Sequence, residues 1–296
     1  MHSVRWGLVL GFVFVTTASY AAPNWVADVP LQSCDGIPCV DAVVGNGVQG
    51  RFIIDTGDEV SLVDNADANA IGFGPGNLKN GQIVKAAHTA VVLGGAQIPS
   101  APFIALALGD YVRKGTMPHS RGSLTYTAFR ERVIQFDFVR RRFRMSAPLT
   151  TSVACDGHCA KLDLIKFGKN GPPILVGEGF LADGKSVRAQ IDTVYTGGLL
   201  IYSLSMKALG FAAPPSAPKE SFPFTDDRVD MLRGAQADVR FGNLALGHVP
   251  LYFPTPGVHE PDGYFEGTIG LVGLAGTVMT LDLHDQTIEL ERPATG

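Results

Sequence analysis

FIIDTGDEVSL, residues 52–62, and AQIDTVYTGGLL, residues 189–200, each run through apolar residues into the same dipeptide, Asp55-Thr56 and Asp192-Thr193. An acid at the end of a buried strand is costly unless it is hydrogen-bonded or shares its charge with a neighbour. Gly57 permits a sharp turn directly after the first acid. The Thr that follows each Asp has a hydroxyl able to reach a backbone group and lock that turn. If the two halves of the chain pack about a pseudo-twofold axis, Asp55 and Asp192 meet at the interface. Two carboxylates in contact cannot both ionise readily, so the pair holds one proton. A water between them then has a base on one side and an acid on the other.

The duplication extends well beyond the dipeptide. RGSLTYTAFRERVIQFDFVRRRFRM from Arg121 lies without a gap on EGTIGLVGLAGTVMTLDLHDQTIEL from Glu266, with Gly122 on Gly267, Val133 on Val278 and Asp137 on Asp282. VVLGGAQIPSAPF from Val91 matches VRFGNLALGHVPL from Val239, and AIGF at 70–73 matches ALGF at 208–211. Each copy opens on Cys-Asp-Gly, at Cys34 and at Cys155. The same matches in the same order imply a tandem duplication, so self-similarity decides the fold class.

VIQFDF, VMTLDL and TIELE alternate apolar and polar residues at a period of two, as half-buried strands do. Short helical stretches are expected only near 65–70 and 203–209, and 212–218 and 254–257 read as loops by composition. The expected class is all-β with two lobes from a tandem repeat, one short helix in each. The first lobe runs over residues 28–149 and the second over 150–292. Residues 1–22 read as an export signal: a basic Arg5, an apolar core over 7–15 and small residues at 19–22. Nine apolar residues are too few to span a bilayer, and nothing later is long and apolar enough to do so. The expected location is outside the cytoplasm, periplasmic or secreted.

Losing Arg5 with the leader takes 24 basic side chains to 23 against 28 acidic ones, a net charge of −5. Nucleic acid is therefore not an expected partner, because phosphate binding rests on clustered cations. The one basic cluster, Arg140–Arg142 with Arg144, reads as a solvated hairpin tip, with an anionic membrane or polymer as the alternative. The four cysteines form two close pairs, Cys34 with Cys39 and Cys155 with Cys159. In an oxidising compartment these are local disulfides, each closing the loop that opens its repeat; a zinc site of all four is the alternative. No Gly-x-Ser-x-Gly elbow is present, and the seven His, His158 among them, are dispersed without metal spacing.

With these residues in place, the chain resembles the retropepsin-like and pepsin-like aspartic peptidases, in particular the exported bacterial type with two fused retropepsin-like repeats. PCVDAVVGNGVQGRFIIDTG is similar to the family's opening hairpin and catalytic strand, and GTIGLVGL, with Gly270, to its second glycine segment. The resemblance implies a bilobal acid-protease fold in which Asp55 and Asp192 are catalytic. Thr56 and Thr193 would interlock beneath them, with Gly57 and Asp58 supporting the first acid. Glu59 and Thr196 would face substrate, and the segments 81–89 and 225–234 would be flaps. It further implies a peptide or protein substrate, a site complete in one monomer, and neither cofactor nor metal. The departures are Asp58 after Gly57, Val194 in place of the second glycine, and Thr125 where the first copy's later glycine is expected. Two alternatives stand beside peptide hydrolysis. One is a lapsed relative that binds peptides or partner proteins in the same cleft. The other is a cation site of Asp55, Asp58 and Asp192.

Overall fold

The computed structural model of the protein describes residues 23–73, 78–79, 82–83, 86–113, 119–150, 159–166, 173–223, 228–256, 258 and 263–293. The expected leader, Cys155, His158 and residues 224–227 lie outside the described residues.

The strand Val48–Asp55 buries Phe52, Ile53 and Ile54 almost completely. Such an unbroken apolar run is what a strand covered on both faces requires. It turns back from Ile37–Val44 and lies parallel to Gly122–Thr125, which is itself antiparallel to Ser61–Asp64. The loop bearing Asp55 therefore wraps around the end of a strand that arrives from far along the chain. In the first half the strands lie side by side in the order 37–44, 48–55, 122–125, 61–64, 96–106, 87–93. The second half gives the order 173–182, 185–191, 267–269, 199–201, 244–254, 228–241, strand for matching strand. Gly122 and Gly267 occupy the same crossing in the two halves. A Cβ at either would run into a backbone carbonyl oxygen, that of Leu62 or of Leu200. Only glycine lets those backbones come so close.

The halves are joined by a strip of strands in the order Trp25–Pro30, Arg142–Ser146, Val133–Asp137, Val278–Asp282, Thr287–Glu291, Cys159–Lys166. At its centre Gln135 faces Thr280, its own equivalent in the repeat, and the Gln135 side-chain amide donates to the Thr280 hydroxyl at 3.0 Å. Two further equivalent bonds flank this pair, Phe138 N–H to the Thr277 carbonyl at 3.2 Å and Leu283 N–H to the Arg132 carbonyl at 3.0 Å. A pseudo-twofold axis thus passes between Gln135 and Thr280. The architecture is all-β and bilobal, two halves of matching strand order, with one large apolar core cluster drawing on both.

The expected helices are present, but they differ in kind. Asn65–Ile71 is a 3-10 helix and Ser203–Leu209 an α-helix. Both stop at a left-handed glycine, Gly72 and Gly210, after which Phe73 and Phe211 N–H bond back to Ala68 and Met206 carbonyls at 2.9 and 2.8 Å. Additional short helical turns occur at Leu108–Arg113, Tyr126–Phe129 and Leu271–Leu274. The arginine cluster is a hairpin end, as expected: Arg142 and Arg144 both pair with Asp28, and Arg140 pairs with Asp137. Among the described residues no helix is long and apolar enough to cross a membrane.

Cys34 and Cys39 form a disulfide with Cα atoms 5.9 Å apart, stapling the hairpin of Gln32–Cys34 and Ile37–Val44. Cys159 is disulfide-bonded too. Non-reducing peptide mapping is expected to recover Cys34 joined to Cys39. A loop this short limits the stabilisation to about 2 kcal/mol, so reduction of this bond should lower the melting temperature by a few degrees without unfolding the protein.

Candidate active site between the halves

Asp55 is the last residue of its strand, and Asp192 directly follows Lys185–Ile191. Beneath them, Thr56 and Thr193 are fully buried and reach across to the opposite half. The Thr56 hydroxyl donates to the Ile191 carbonyl at 2.7 Å, and the Thr193 hydroxyl donates to the Ile54 carbonyl at 2.6 Å. Each hydroxyl also accepts the other residue's backbone N–H, both at 3.1 Å. These four bonds are equivalent in pairs, so the pseudo-twofold axis that passes Gln135 and Thr280 also passes here. All are buried, and breaking either hydroxyl would leave buried backbone groups unpaired.

Both aspartates are half-buried, and each is clasped by its own loop. Gly57 N–H donates to Asp55 Oδ1 at 2.8 Å, while Val194 and Tyr195 N–H donate to Asp192 Oδ1 at 2.8 and 3.0 Å. Gly57 also lies against the opposite acid: a Cβ there would stand 2.6 Å from Asp192 Cγ and 2.8 Å from both carboxylate oxygens. Burial, then the charge of Asp192 and that of Asp58, push the Asp55 carboxyl well above the ordinary range, against the pull of the Gly57 and Asp58 N–H groups. Asp192 is raised by burial and by Asp58, and its two backbone donors hold it down. Both acids therefore hold protons more tightly than a free carboxylate, and the charge of Asp192 is one cause of the rise at Asp55.

Asp58 turns its Oδ1 back onto the Glu59 N–H at 2.7 Å, yet its charge reaches both aspartates. The three acids named as the alternative cation site, Asp55, Asp58 and Asp192, do not bring their ligand atoms together. Among the described residues the only three ligand-type side chains that converge are Asp282, His284 and Asp285, at the end of the strand Val278–Asp282. Val194 keeps an ordinary negative φ, so a β-branched residue sits there without backbone strain. Thr125 is accommodated by hydroxyl chemistry. It is fully buried and donates to the Glu59 carbonyl at 3.0 Å, with Thr127 donating to the same oxygen and Ser61 Oγ accepting the Thr125 N–H at 3.1 Å. In the second half Gly270 has no room for a side chain against Tyr195 and Gly197, and backbone donors do the fastening: Leu271 N–H to Tyr195 and Val272 N–H to Gly197 carbonyls.

Glu59 is half-buried, its proton affinity raised by burial and by Asp58 and opposed by Arg130 and Lys166. Thr196 is half-buried in the loop after Asp192. Of the expected flaps, 81–89 is corrected in part: the hairpin pairs Leu78–Lys79 with Gln82–Ile83, whereas Ala87–Thr89 belongs to a strand of the main sheet. Of the other, 225–234, the described residues 228–234 belong to the strand Arg228–Phe241, which pairs antiparallel with Lys219–Pro223.

Two residues of this site escaped the sequence reading. Gln190 donates its side-chain amide to the Gly57 carbonyl at 3.0 Å, tying the first loop to the second half. Tyr195 is buried under its own loop, against Phe222 and Tyr252. Its position three residues after Asp192, matching Asp58 after Asp55, was the available signal.

No protein-family model matches the chain, and no curated protein matches it. Among solved structures, the chain is similar to the aspartic proteinase from Irpex lacteus, at 13% identity and a TM-score of 0.46 over 90% of this chain and 97% of that one. It is similar also to basic 7S globulin from soybean, at 12% identity and a TM-score of 0.47 over 91% and 95% of the two chains.

Proposed function

We propose that the protein is an exported aspartic-type endopeptidase of the fused-repeat, retropepsin-like kind, with lobes over 28–149 and 150–292. The observation that supports this reading is the reciprocal threonine bonding between the two loops that carry Asp55 and Asp192, two half-buried acids whose proton affinity is raised. In this reading the ionised member of the pair takes a proton from water as the water oxygen attacks the scissile carbonyl carbon. The protonated member gives its proton to the carbonyl oxygen. The resulting gem-diol collapses, the C–N bond breaks, and the amine leaves with a proton from the dyad. Glu59 and Thr196, following the two acids, hold the peptide backbone on either side.

The test is digestion of a peptide library from acidic to neutral pH: cleavage is expected, and inertness would overturn the reading. A second reading, peptide binding without cleavage, draws on Val194. It stands where Gly57 stands in the other half, and a side chain at Gly57 would crowd the opposite carboxylate. Retained peptide affinity in an inert wild type would decide for it.

Asp58 sets the expected pH dependence. The active form needs one proton on the pair, so its alkaline edge is the loss of that proton. The negative charge of Asp58 raises proton affinity at both acids and moves the edge to higher pH. Asp58→Ala should therefore shift the alkaline edge of kcat/KM downward. An edge that stays put or rises in Asp58→Ala would place the Asp58 charge outside the titration.

A further inference from the structure

The duplicated turn at the end of Val133–Asp137 and Val278–Asp282 carries opposite charges in its two copies. In the first, Asp137 is 2% exposed and fully satisfied. Its Oδ1 accepts the Val139 and Arg140 N–H groups at 3.1 and 2.7 Å, and its Oδ2 accepts the Arg140 guanidinium at 3.1 Å. In the second copy the backbone half of this arrangement is unchanged. Asp282 is 5% exposed, and its Oδ1 accepts the His284 and Asp285 N–H groups, both at 2.9 Å. The residue equivalent to Arg140, however, is Asp285, and the one equivalent to Val139 is His284. The cation that neutralised the first aspartate has become a second carboxylate. Asp282 Oδ2 is left buried with no hydrogen-bond partner.

A buried carboxylate oxygen in that state needs a donor or a positive charge. No hydrogen bond among the described residues supplies either to Oδ2. The surrounding groups point to what does. One ligand atom each from Asp282, His284 and Asp285 lies within 4.8 Å of the others, and His284 Nδ1 stands 2.8 Å from Asp285 Oδ1. The His284 and Asp285 side chains are 31% and 20% exposed, so the cluster opens to solvent on one side.

We propose that the Asp282–Asp285 turn binds a divalent transition-metal ion of the zinc type. The Asp282 carboxylate, the His284 imidazole and the Asp285 carboxylate are its ligands, and water completes the shell. An imidazole with two carboxylates and an open position suits zinc or cobalt. Calcium, which takes six to eight oxygen ligands, is poorly served by three side chains. The ion does for Asp282 what Arg140 does for Asp137, and it ties the turn to the inter-lobe strip rather than to the aspartate pair.

The experiment is equilibrium dialysis and thermal melting of chelator-treated full-length protein with zinc alone, and with calcium alone as the contrast. One zinc per chain is expected, with a rise in melting temperature that calcium does not produce. His284→Ala changes a part-exposed side chain and should weaken zinc binding by roughly tenfold or more. Asp285→Arg rebuilds the arrangement of the first copy. It should abolish zinc uptake while leaving the zinc-free melting temperature equal to or above that of the wild type. Absence of zinc uptake by the wild type, a preference for calcium, or uptake undiminished in both variants would each overturn the proposal.

Discussion

Asp55→Asn and Asp192→Asn are each expected to abolish peptide cleavage, with a loss of kcat of at least ~10³-fold, while leaving the protein folded. An amide accepts the same Gly57 or Val194 N–H through its oxygen but exchanges no proton with water or substrate, so the general acid–base contribution of the pair disappears. Stability should move the other way. The folded-state proton affinity of Asp55 is raised above its unfolded value, so its stabilising contribution is present at low pH. It is lost as pH rises above the unfolded pKa of 3.8. Above that window the buried charge is a net cost, which Asn removes. At neutral pH the Asn variants should therefore melt at or above the wild-type temperature, whereas near pH 3 the difference should vanish. Unchanged cleavage in both variants would show that the chemistry resides elsewhere. A fall in melting temperature at neutral pH would show that the carboxylates serve the fold.

Much of this arrangement was legible because the chain states it twice. The order of matches along the two halves anticipated two lobes built alike, and the later parts of the ungapped segments, 133–145 and 278–290, form the paired centre of the strip. The glycines of AIGF and ALGF marked both helix stops. What stayed hidden depends on contacts between residues far apart in sequence. Nothing local to Gln190 indicates that its amide will meet the Gly57 carbonyl 133 residues away. Thr125 read as a missing glycine, although it completes a hydroxyl cluster with Ser61 and Thr127 around the Glu59 carbonyl, an alternative fastening that no single-residue comparison reveals. The Asp282 turn was visible in the alignment as a matched aspartate. Its unpaired oxygen emerged only when side-chain positions were known.

Gly57→Ala should cost more activity than any other change that retains both aspartates, and Val194→Gly should cost none. The added methyl at residue 57 would lie 2.6 Å from Asp192 Cγ, closer than real Cβ contacts allow, so one of the two must move. The Gly57 loop is tied by the Gln190 amide to its carbonyl and by its own N–H to Asp55, and Asp192 is clasped by two backbone donors. Neither has slack, and a displacement approaching 1 Å at a reacting carboxylate costs about 10²-fold in rate. The expected result is a ~10²-fold fall in kcat with KM little changed, since peptide-holding residues beyond the loop are untouched. Val194 has an ordinary backbone conformation, so glycine there relieves no strain and removes only a branched side chain beside the pair. Activity should stay equal or rise, and a rise would show that the valine crowds the water. If Val194→Gly instead loses activity while Gly57→Ala keeps it, the two loops have exchanged the roles assigned to them, and Asp55 rather than Asp192 is the acid whose position limits the reaction.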